Sequence, residues 1–252
     1  MSTPLFTIIV PTFGVEDFIT DCLESIRRQT CADCEILVMD GGSTDKTIDL
    51  VARQQAAFAG RLLLRSEKDA GVYDAMNQGI RRARGKWLYF LGADDCLHDD
   101  RVLENVAAQI QNHPDDHLVY GDVILRSNAS RYAGEFNLEK LLLEKNICHQ
   151  AIFYQRTIFN QIGCYNLRYP IWADWDLNIR CFQHPEFRQR YLDLVIADYN
   201  DTRGVSMQPD LVLQKILPVY VQAAARSARS AGTLRKVLRR KLGSLRRRLT
   251  GT

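Results

Sequence analysis

The first half of the chain alternates short apolar runs with segments whose apolar residues recur every three or four positions. A short apolar run indicates a buried strand, and the wider spacing indicates an amphipathic helix. The runs at 5–12, 35–40, 61–67 and 86–91 are predicted strands, and a predicted helix follows each of them. Strands separated by helices are typical of βαβ units, so the pattern predicts an α/β fold with a mostly parallel central sheet flanked by helices.

The second half has a less regular pattern that still continues the sheet. Predicted strands occupy 117–125, 148–155 and part of 187–199, and predicted helices occupy 157–163 and 174–182. No internal repeat or long linker interrupts this half. We therefore expect it to form the other wall of a shared crevice.

Charge divides the chain after residue 210. The whole chain has 33 basic and 30 acidic residues, and residues 211–252 contain eleven of the basic residues and none of the acidic ones. Residues 1–210 therefore carry eight more acidic than basic residues. We predict that 1–210 is one domain and that 211–252 is a basic helical tail.

The tail repeats leucine and valine at helical spacing among its basic residues. These positions are Leu234, Val237, Leu238, Leu242, Leu245 and Leu249. Such a segment could be solvated, could bind nucleic acid or could lie on a membrane surface. We favour the membrane surface, because basic residues are attracted to an anionic leaflet and leucines can enter the interface. No nucleic-acid-binding motif is present.

The composition is that of an ordinary globular protein, with 46% apolar and 25% charged residues. Seven scattered cysteines are typical of free thiols in a reducing compartment. Cys31 and Cys34 form an isolated CxxC pair, and without a second pair we expect neither zinc binding nor redox activity. The sequence shows no secretion signal and no apolar run of about 20 residues. We therefore expect a cytoplasmic protein.

Polar clusters follow three of the predicted strands. They are Pro11-Thr12, Asp40 to Ser43, and Asp94-Asp95. Ligands of parallel α/β sheets bind beyond the carboxyl ends of the strands, so we expect these clusters to meet in one crevice. The segment after the first strand lacks the GxGxxG pattern, which excludes a Rossmann dinucleotide site. It also lacks the basic phosphate loop that a nucleotidyltransferase would need.

Each candidate side chain has a structural and a functional interpretation. Asp94 and Asp95 could cap a turn or hold Mg²⁺ or Mn²⁺ against phosphate oxygens. Asp40 could form an Asx turn or accept hydrogen bonds from a base or ribose. Asp174 could complement a helix dipole or act as a general base. His149 could be a partly buried structural histidine or a site residue.

With these clusters in order, the sequence resembles family 2 of the inverting glycosyltransferases, which have the GT-A fold. Five motifs carry the resemblance: Ile8 to Phe13, Val38 to Asp45, Asp69 to Gly79, Gly85 to Asp95, and Ala173 to Arg180. They occur in the order of the family. Many members of the family build bacterial surface polysaccharides.

The resemblance implies a role for each matched residue. Asp174 would be the catalytic base, and Asp94 with Asp95 would hold Mn²⁺ or Mg²⁺. The nucleotide-sugar site would comprise Pro11, Thr12, Phe13, Asp40, Gly42, Asp74, Asn77, Asp94 and His149.

Two positions depart from the family pattern. Gly92 replaces an acidic residue of the metal motif, so the metal site depends on the two aspartates that follow it. Met76 replaces an arginine that is common in relatives, so Lys68 or Arg81 would have to contact the diphosphate instead.

The implied function is inverting transfer of a sugar from a nucleotide-diphospho-sugar to a hydroxyl of a saccharide or polyprenyl-linked acceptor. Family frequency favours a UDP-sugar. The expected setting is surface polysaccharide synthesis at the cytoplasmic face of the inner membrane. A non-catalytic nucleotide-sugar-binding regulatory protein is the alternative, and the retention of Asp174 favours the enzyme.

Overall fold

The computed structural model describes residues 3–202 and 208–227. Its first half contains β1 (Phe6–Thr12), α1 (Ile19–Arg27), β2 (Cys34–Asp40), α2 (Thr47–Gln54), β3 (Leu62–Ser66), α3 (Val72–Arg82), β4 (Trp87–Phe90), β5 (Cys96–Leu97) and α4 (Val102–Asn112). The four strands predicted in this half are confirmed, and each end lies within one residue of its predicted position.

The second half contains shorter elements and two long ones at its end. They are β6 (Leu118–Leu125), β7 (Arg131–Tyr132), α5 (Leu138–Leu143), β8 (Ile152–Gln155), α6 (Thr157–Ile162), α7 (Ala173–Gln183), β9 (Gln189–Tyr199) and α8 (Leu211–Ser227). Single 3₁₀ turns occupy Gln55–Phe58 and His149–Ala151.

The strands of the described ranges form one sheet in the order β3-β2-β1-β4-β8-β6-β9-β5, with β7 beside β6. Strands β1 to β4 are parallel, as the sequence predicts. Strand β8 runs antiparallel to both of its neighbours, and β5 runs antiparallel to β9. The second half of the sheet is therefore mixed, because an apolar run reveals that a strand is buried and not which way it runs.

Helices cover both faces of the sheet. Along β1, Phe6, Ile8 and Val10 belong to the buried cluster that includes α1 and α4, whereas Ile9 belongs to the cluster that includes α3 and α7. Successive side chains of a strand point to opposite faces. A continuous apolar strand therefore requires cover on both sides, which is why these runs do not alternate with polar residues.

The carboxyl ends of the parallel strands lie side by side at one edge of the sheet. Thr12 at the end of β1 pairs with Asp40 at the end of β2, and Asp40 pairs with Ser66 at the end of β3. Asp94 and Asp95 follow β4, which is the other neighbour of β1. This edge gathers the polar clusters from the first half of the chain.

Helix α8 packs on the domain through an apolar stripe. Its side chains Leu213, Leu217, Val221 and Ala224 are buried in the cluster that includes α3 and α7. The domain boundary at residue 210 stays a prediction, and the basic segment 234–249 lies outside the described residues. Within the described ranges, no helix is both long and apolar enough to cross a membrane.

One buried carboxylate joins the starts of α7 and α8. Asp210 accepts hydrogen bonds at Oδ1 from the backbone N–H groups of Val212 and Leu213, each at 3.0 Å. Its Oδ2 accepts from the backbone N–H groups of Ile171 and Trp172, each at 3.1 Å. Asp210 therefore caps α8 and attaches it to the segment that precedes α7.

Candidate active site

A cavity of about 370 Å³ opens beyond the carboxyl ends of β1 and β2. Its lining comprises Pro11, Thr12, Phe13, Gly41, Lys68, Asp69, Gly71, Val72 and Ala75. The end of β1 contributes Pro11 and Thr12 to this lining, and the start of α3 contributes Val72 and Ala75. A cavity of this size at this edge of a sheet is typical of a small-molecule site in an α/β protein.

Two residues at the end of β1 are suited to contact a ligand in the cavity. Phe13 is 70% exposed although it is a large aromatic residue. Its ring offers a flat face on which a nucleotide base can stack. The buried Oγ1 of Thr12 has no hydrogen-bond partner among the described residues. Buried hydroxyls usually have a partner, and a bound ligand would supply one here.

Asp40 forms the Asx turn that was one of its two interpretations. Its Oδ2 accepts hydrogen bonds from the backbone N–H groups of Gly42 and Ser43 and from Ser66 Oγ. Its Oδ1 accepts from Ser43 Oγ. Gly42 has a φ of +90°, a conformation that favours glycine. Asp40 is therefore occupied in shaping the loop, and its carboxylate is not part of the cavity lining.

The predicted contact of Asp40 with a nucleotide sugar stays a prediction, and a different carboxylate, that of Asp69, faces the cavity. Burial raises the pKa of Asp69, with a smaller contribution from the charges of Asp74 and Asp40. A Cβ atom on Gly41 would lie 2.8 Å from Asp69 Oδ2, so the glycine makes room for this side chain. The position of Asp69 just before a helix, within a matched motif, was the signal that could have identified it.

Asp74 and Asn77 have structural partners. Asp74 Oδ2 accepts a hydrogen bond from the backbone N–H of Ala70 at 3.2 Å, at the start of α3. Asn77 donates from Nδ2 to Tyr165 O and accepts at Oδ1 from Tyr165 N, both at 2.9 Å. Neither residue is part of the cavity lining. Their predicted contact with a nucleotide sugar stays a prediction.

The two cations considered for the diphosphate lie in different places. Lys68 lines the cavity. Arg81 instead lies near the thiol of Cys164, whose pKa burial raises and the arginine lowers. The backbone oxygen of Cys164 also accepts a hydrogen bond from Arg180 on α7. Arg81, Cys164 and Arg180 are all absent from the cavity lining. Of the two candidates, only Lys68 can reach a ligand in the cavity.

Asp94 and Asp95 differ sharply in environment. Asp95 is 1% exposed, and its oxygens accept hydrogen bonds from the backbone N–H of Asn200 and from Gln150 Nε2, both at 2.7 Å. Burial and the neighbouring charge of Asp94 raise the pKa of Asp95 to about 7. Asp94 is half-buried, and its Oδ2 accepts a long hydrogen bond of 3.4 Å from Asn200 Nδ2.

This arrangement fits one metal ligand better than two. No group of three His, Cys, Asp or Glu side chains suited to a metal ion occurs in the part of the chain that the structure describes. Mg²⁺ commonly uses one or two carboxylates and completes its coordination with substrate phosphates and water. Asp94 can serve as such a ligand. Asp95 already accepts one hydrogen bond on each oxygen, and its role as a second metal ligand stays a prediction.

Asp174 lies at the start of α7 with donors on both carboxylate oxygens. Its Oδ1 accepts a hydrogen bond from Tyr73 Oη and its Oδ2 from Asn146 Nδ2, each at 2.9 Å. His149 Nδ1 lies 3.8 Å from the same Oδ2. The charge of His149 also lowers the pKa of Asp95, which places the histidine near both carboxylates. Tyr73 and Asn146 were missed by the sequence analysis, because neither residue type is distinctive alone.

The second aspartate of the same motif has a structural role. Asp176 is fully buried, and its Oδ2 accepts a hydrogen bond from Arg180 Nε at 2.8 Å. Its Oδ1 accepts from Tyr220 Oη on α8. Asp174, in contrast, is 8% exposed and lies beside the partly exposed His149. Of the pair, Asp174 is the less enclosed carboxylate, and its role as general base stays a prediction.

A family model and known proteins match this chain. The model for glycosyl transferase family 2 matches residues 7–163. A PGL/p-HBAD biosynthesis glycosyltransferase of Mycobacterium bovis is 51% identical over 206 residues, which cover 82% of this chain and 80% of that protein.

Solved structures share the fold at low sequence identity. S. aureus TarS 1-349 in complex with UDP matches 86% of this chain with a TM-score of 0.66 and 19% identity. The match spans 65% of that fragment, and a match to a longer TarS chain spans 39% of it. The mannosyltransferase PcManGT of Pyrobaculum calidifontis, in complex with GDP-Man and Mn2+, matches 96% of this chain and 70% of its own, with a TM-score of 0.65 and 19% identity.

The family match covers more than half of the chain and includes the strands that form the cavity. The structural matches show the GT-A fold that the sequence resemblance implied. The chain therefore belongs to glycosyl transferase family 2 and is a glycosyltransferase.

Proposed function

We propose that this glycosyltransferase moves a sugar, with inversion at the anomeric carbon, from a nucleotide-diphospho-sugar to an acceptor hydroxyl. The carrying observation is the single carboxylate of Asp174, held by donors on both oxygens and separate from the Asp94 loop. Asp174 removes the proton of the acceptor hydroxyl while that oxygen attacks the anomeric carbon. The bond to the diphosphate breaks in the same step. One displacement inverts the configuration.

The leaving diphosphate gains negative charge in this step. A divalent cation such as Mn²⁺ or Mg²⁺ would neutralise that charge as a Lewis acid when bound. Asp94 would hold the cation from the protein side, and Asp95 would keep Asp94 in place through Asn200, whose N–H it accepts. Lys68, in the cavity lining, would add a positive charge beside the phosphates.

The nucleotide base would occupy the cavity at the end of β1. Phe13 would stack on it, and Asp69 would accept a hydrogen bond from a ring N–H. A uracil has such a donor, and we propose a UDP-sugar as donor substrate. The TarS structure in complex with UDP supports this choice. PcManGT is in complex with GDP-Man, so GDP must be tested beside UDP. Calorimetric titration with UDP and GDP, each with Mn²⁺, distinguishes the two bases.

We propose a saccharide or polyprenyl-linked acceptor at the cytoplasmic face of the inner membrane. Helix α8 supports membrane contact, because Leu211 and Val219 are exposed although they are apolar. The basic residues of 234–249 follow this helix in sequence. Flotation with vesicles containing anionic lipid is expected for the full chain and not for a chain that ends at residue 227. Equal flotation of both would show that residues 228–252 do not bind the membrane, and flotation of neither would contradict membrane contact altogether.

The stereochemistry of the product tests the reaction itself. Proton NMR of the transferred sugar, with donor, Mn²⁺ and a saccharide acceptor, is expected to show the anomeric configuration opposite to that of the donor. A retained configuration would contradict single displacement. Donor binding without transfer or hydrolysis would instead support the regulatory alternative.

A further inference from the structure

The hydroxyl of Tyr73 lies between two acceptors. Its Oη is 2.9 Å from Asp174 Oδ1 and 2.7 Å from the backbone oxygen of Ile171. A phenol hydroxyl has one proton and can also accept a hydrogen bond, whereas a carbonyl oxygen can only accept. When Asp174 is ionised, both neighbours therefore compete for one proton. When Asp174 carries a proton on Oδ1, it can donate to Tyr73, and Tyr73 can donate to Ile171 O.

The other oxygen of Asp174, Oδ2, faces an amide N–H group that can only donate a hydrogen bond. Asn146 Nδ2 donates to Oδ2, and Asn146 Oδ1 accepts from Asn178 Nδ2, each at 2.9 Å. Asn178 Oδ1 in turn accepts from Tyr154 Oη at 2.7 Å. This chain of partly and fully buried groups orients the Asn146 amide, so its N–H points at Oδ2. Of the two oxygens, Oδ1 is the one whose neighbour, Tyr73, can switch from donor to acceptor when the carboxylate is protonated there.

We propose that Tyr73 is a positioning residue whose hydroxyl rotates between Asp174 Oδ1 and Ile171 O as the carboxylate gains and loses its proton. This inference rests on the proposed role of Asp174 as general base. The Tyr73 hydroxyl keeps its own proton throughout the reaction. The acceptor proton moves to Asp174, the acceptor oxygen bonds to the anomeric carbon, and the diphosphate leaves with the bonding electron pair. Tyr73 turns its own proton from Oδ1 to Ile171 O in the same event.

Because the Tyr73 hydroxyl can rotate, the total strength of the hydrogen bonds among Asp174, Tyr73 and Ile171 O changes little when Asp174 is protonated. A hydrogen bond to a charged group is roughly twice as strong as a neutral one. The ionised state has one charged bond from Tyr73, and the protonated state has two neutral ones, so the two states gain similar stabilisation. A buried base can therefore accept a proton without leaving a polar group unpaired.

Other ionisable groups surround Asp174 on each neighbouring element. They are Tyr73 on α3, Tyr132 on β7, Cys148 and His149 before β8, Tyr154 on β8, Tyr165 after α6, and Asp210 beyond Ile171. Burial raises the pKa of each tyrosine and of the Cys148 thiol, and the charge of Asp174 adds to this effect. These five groups stay protonated near neutral pH. Asp95, His149 and Asp210 are the remaining neighbours whose protonation must be distinguished from that of Asp174.

Carbonyl NMR of the unliganded full chain tests the rotation directly. Ile171-Trp172 is the one Ile-Trp pair in the sequence, so ¹³C-carbonyl isoleucine with ¹⁵N-tryptophan gives a single assigned signal for Ile171 C=O. This signal is expected to move in parallel with the Asp174 Cγ signal across a pH series, because the carbonyl gains a donor when the carboxylate is protonated. The movement should vanish in both Tyr73→Phe and Asp174→Asn. A component from Asp210 would persist in both variants.

The pH dependence of transfer gives a second readout. In Tyr73→Phe, kcat is expected to fall about tenfold with donor KM unchanged, and the acid limb of kcat/KM should move by less than about half a pH unit. A tyrosine that only donates to Asp174 would stabilise the ionised form, and its removal would raise that limb by about one to two units. Tyr165→Phe is the matched control, because the buried Tyr165 Oη has no partner among the described residues.

Three outcomes separate the hypotheses. An Ile171 carbonyl signal that ignores the Asp174 titration in the unmodified chain would overturn the rotation, whether or not Tyr73→Phe folds. A rise of the acid limb by a full unit in Tyr73→Phe would also overturn it. Transfer that survives Asp174→Asn would overturn the proposed function itself, which no result on Tyr73 alone can do.

Discussion

A Cβ atom on Gly92 would lie 2.3 Å from Asp95 Oδ2, so the carboxylate of Asp95 occupies the space that a side chain at position 92 would need. This contact explains the departure of Gly92 from the family pattern. An acidic residue at position 92 and the observed position of Asp95 exclude each other. Of the two aspartates in the predicted metal motif, Asp94 is the more accessible and Asp95 is the buried one.

Gly92→Ala is expected to lower the free energy of unfolding by about 1–3 kcal/mol, because a methyl group must displace a buried, hydrogen-bonded carboxylate. Chemical denaturation measures the loss. In an Asp95→Ala background the added methyl group meets no carboxylate, and the loss in the free energy of unfolding should be smaller. Equal costs in both backgrounds would show that the two residues do not compete for space.

Asp94→Asn is expected to remove most of the gain in UDP affinity that Mn²⁺ provides, because the variant loses the accessible carboxylate of the loop. Calorimetric titration with and without Mn²⁺ measures that gain. Affinity for UDP in the absence of metal should not change. Asp95→Asn should instead lower thermal stability, because both Asp95 oxygens accept hydrogen bonds. An undiminished metal effect in Asp94→Asn would rule out this ligand.

Asp174→Asn is expected to lower kcat by roughly 10²–10⁴-fold, which is the usual contribution of a general base. Donor binding should survive, because the donor cavity lies at the end of β1 and does not include Asp174. Steady-state kinetics and calorimetry separate the two effects. Asp115→Asn serves as control, since this exposed aspartate lies before β6 and pairs with Arg188. A variant at Asp174 with normal turnover would assign the base elsewhere.

Asp122→Asn is expected to cost about 1–3 kcal/mol of stability at neutral pH. Burial alone would raise the pKa of Asp122, but hydrogen bonds from Gly134, Tyr191, Ala133 and Arg131 outweigh it and hold the pKa below its usual range. A lowered pKa in the folded state stabilises the fold above the unfolded-state value of about 3.9, and this stabilisation is lost as pH falls through the folded-state pKa.

The difference in unfolding free energy between the unmodified chain and Asp122→Asn should therefore narrow below about pH 4. Denaturation at a series of pH values measures it. Asp193→Asn is a matched control, because the exposed Asp193 pairs with the same Arg131. It should change stability little at any pH. A gap at Asp122 that is constant with pH would contradict the assigned pKa direction.

The strands were predictable because a strand that is buried on both faces has an apolar sequence without polar alternation. Every residue from Phe6 to Thr12 is buried, so β1 appears as an unbroken apolar run. The direction of β8 was not predictable, since pairing with β4 and β6 depends on contacts distant in sequence. Local pattern determines which segments are strands, and long-range packing determines how they are arranged.

The site was predictable to the level of its segments and less so to the level of its atoms. Asp40 and Asp69 lie at the ends of neighbouring loops, and only the structure shows that the first is consumed by an Asx turn while the second lines the cavity. Tyr73 and Asn146 lie 101 and 28 residues from Asp174 in sequence. Such partners carry no local signal, because the fold alone brings them together.

The Asp210 carboxylate links the attachment of α8 to the position of Asp174. The same side chain holds the first turn of α8 and the N–H groups of Ile171 and Trp172. Ile171 also supplies the carbonyl that faces Tyr73. A force that draws α8 toward a surface would therefore reach Asp174 through the Asp210 carboxylate, the Ile171–Trp172 peptide and the Tyr73 hydroxyl.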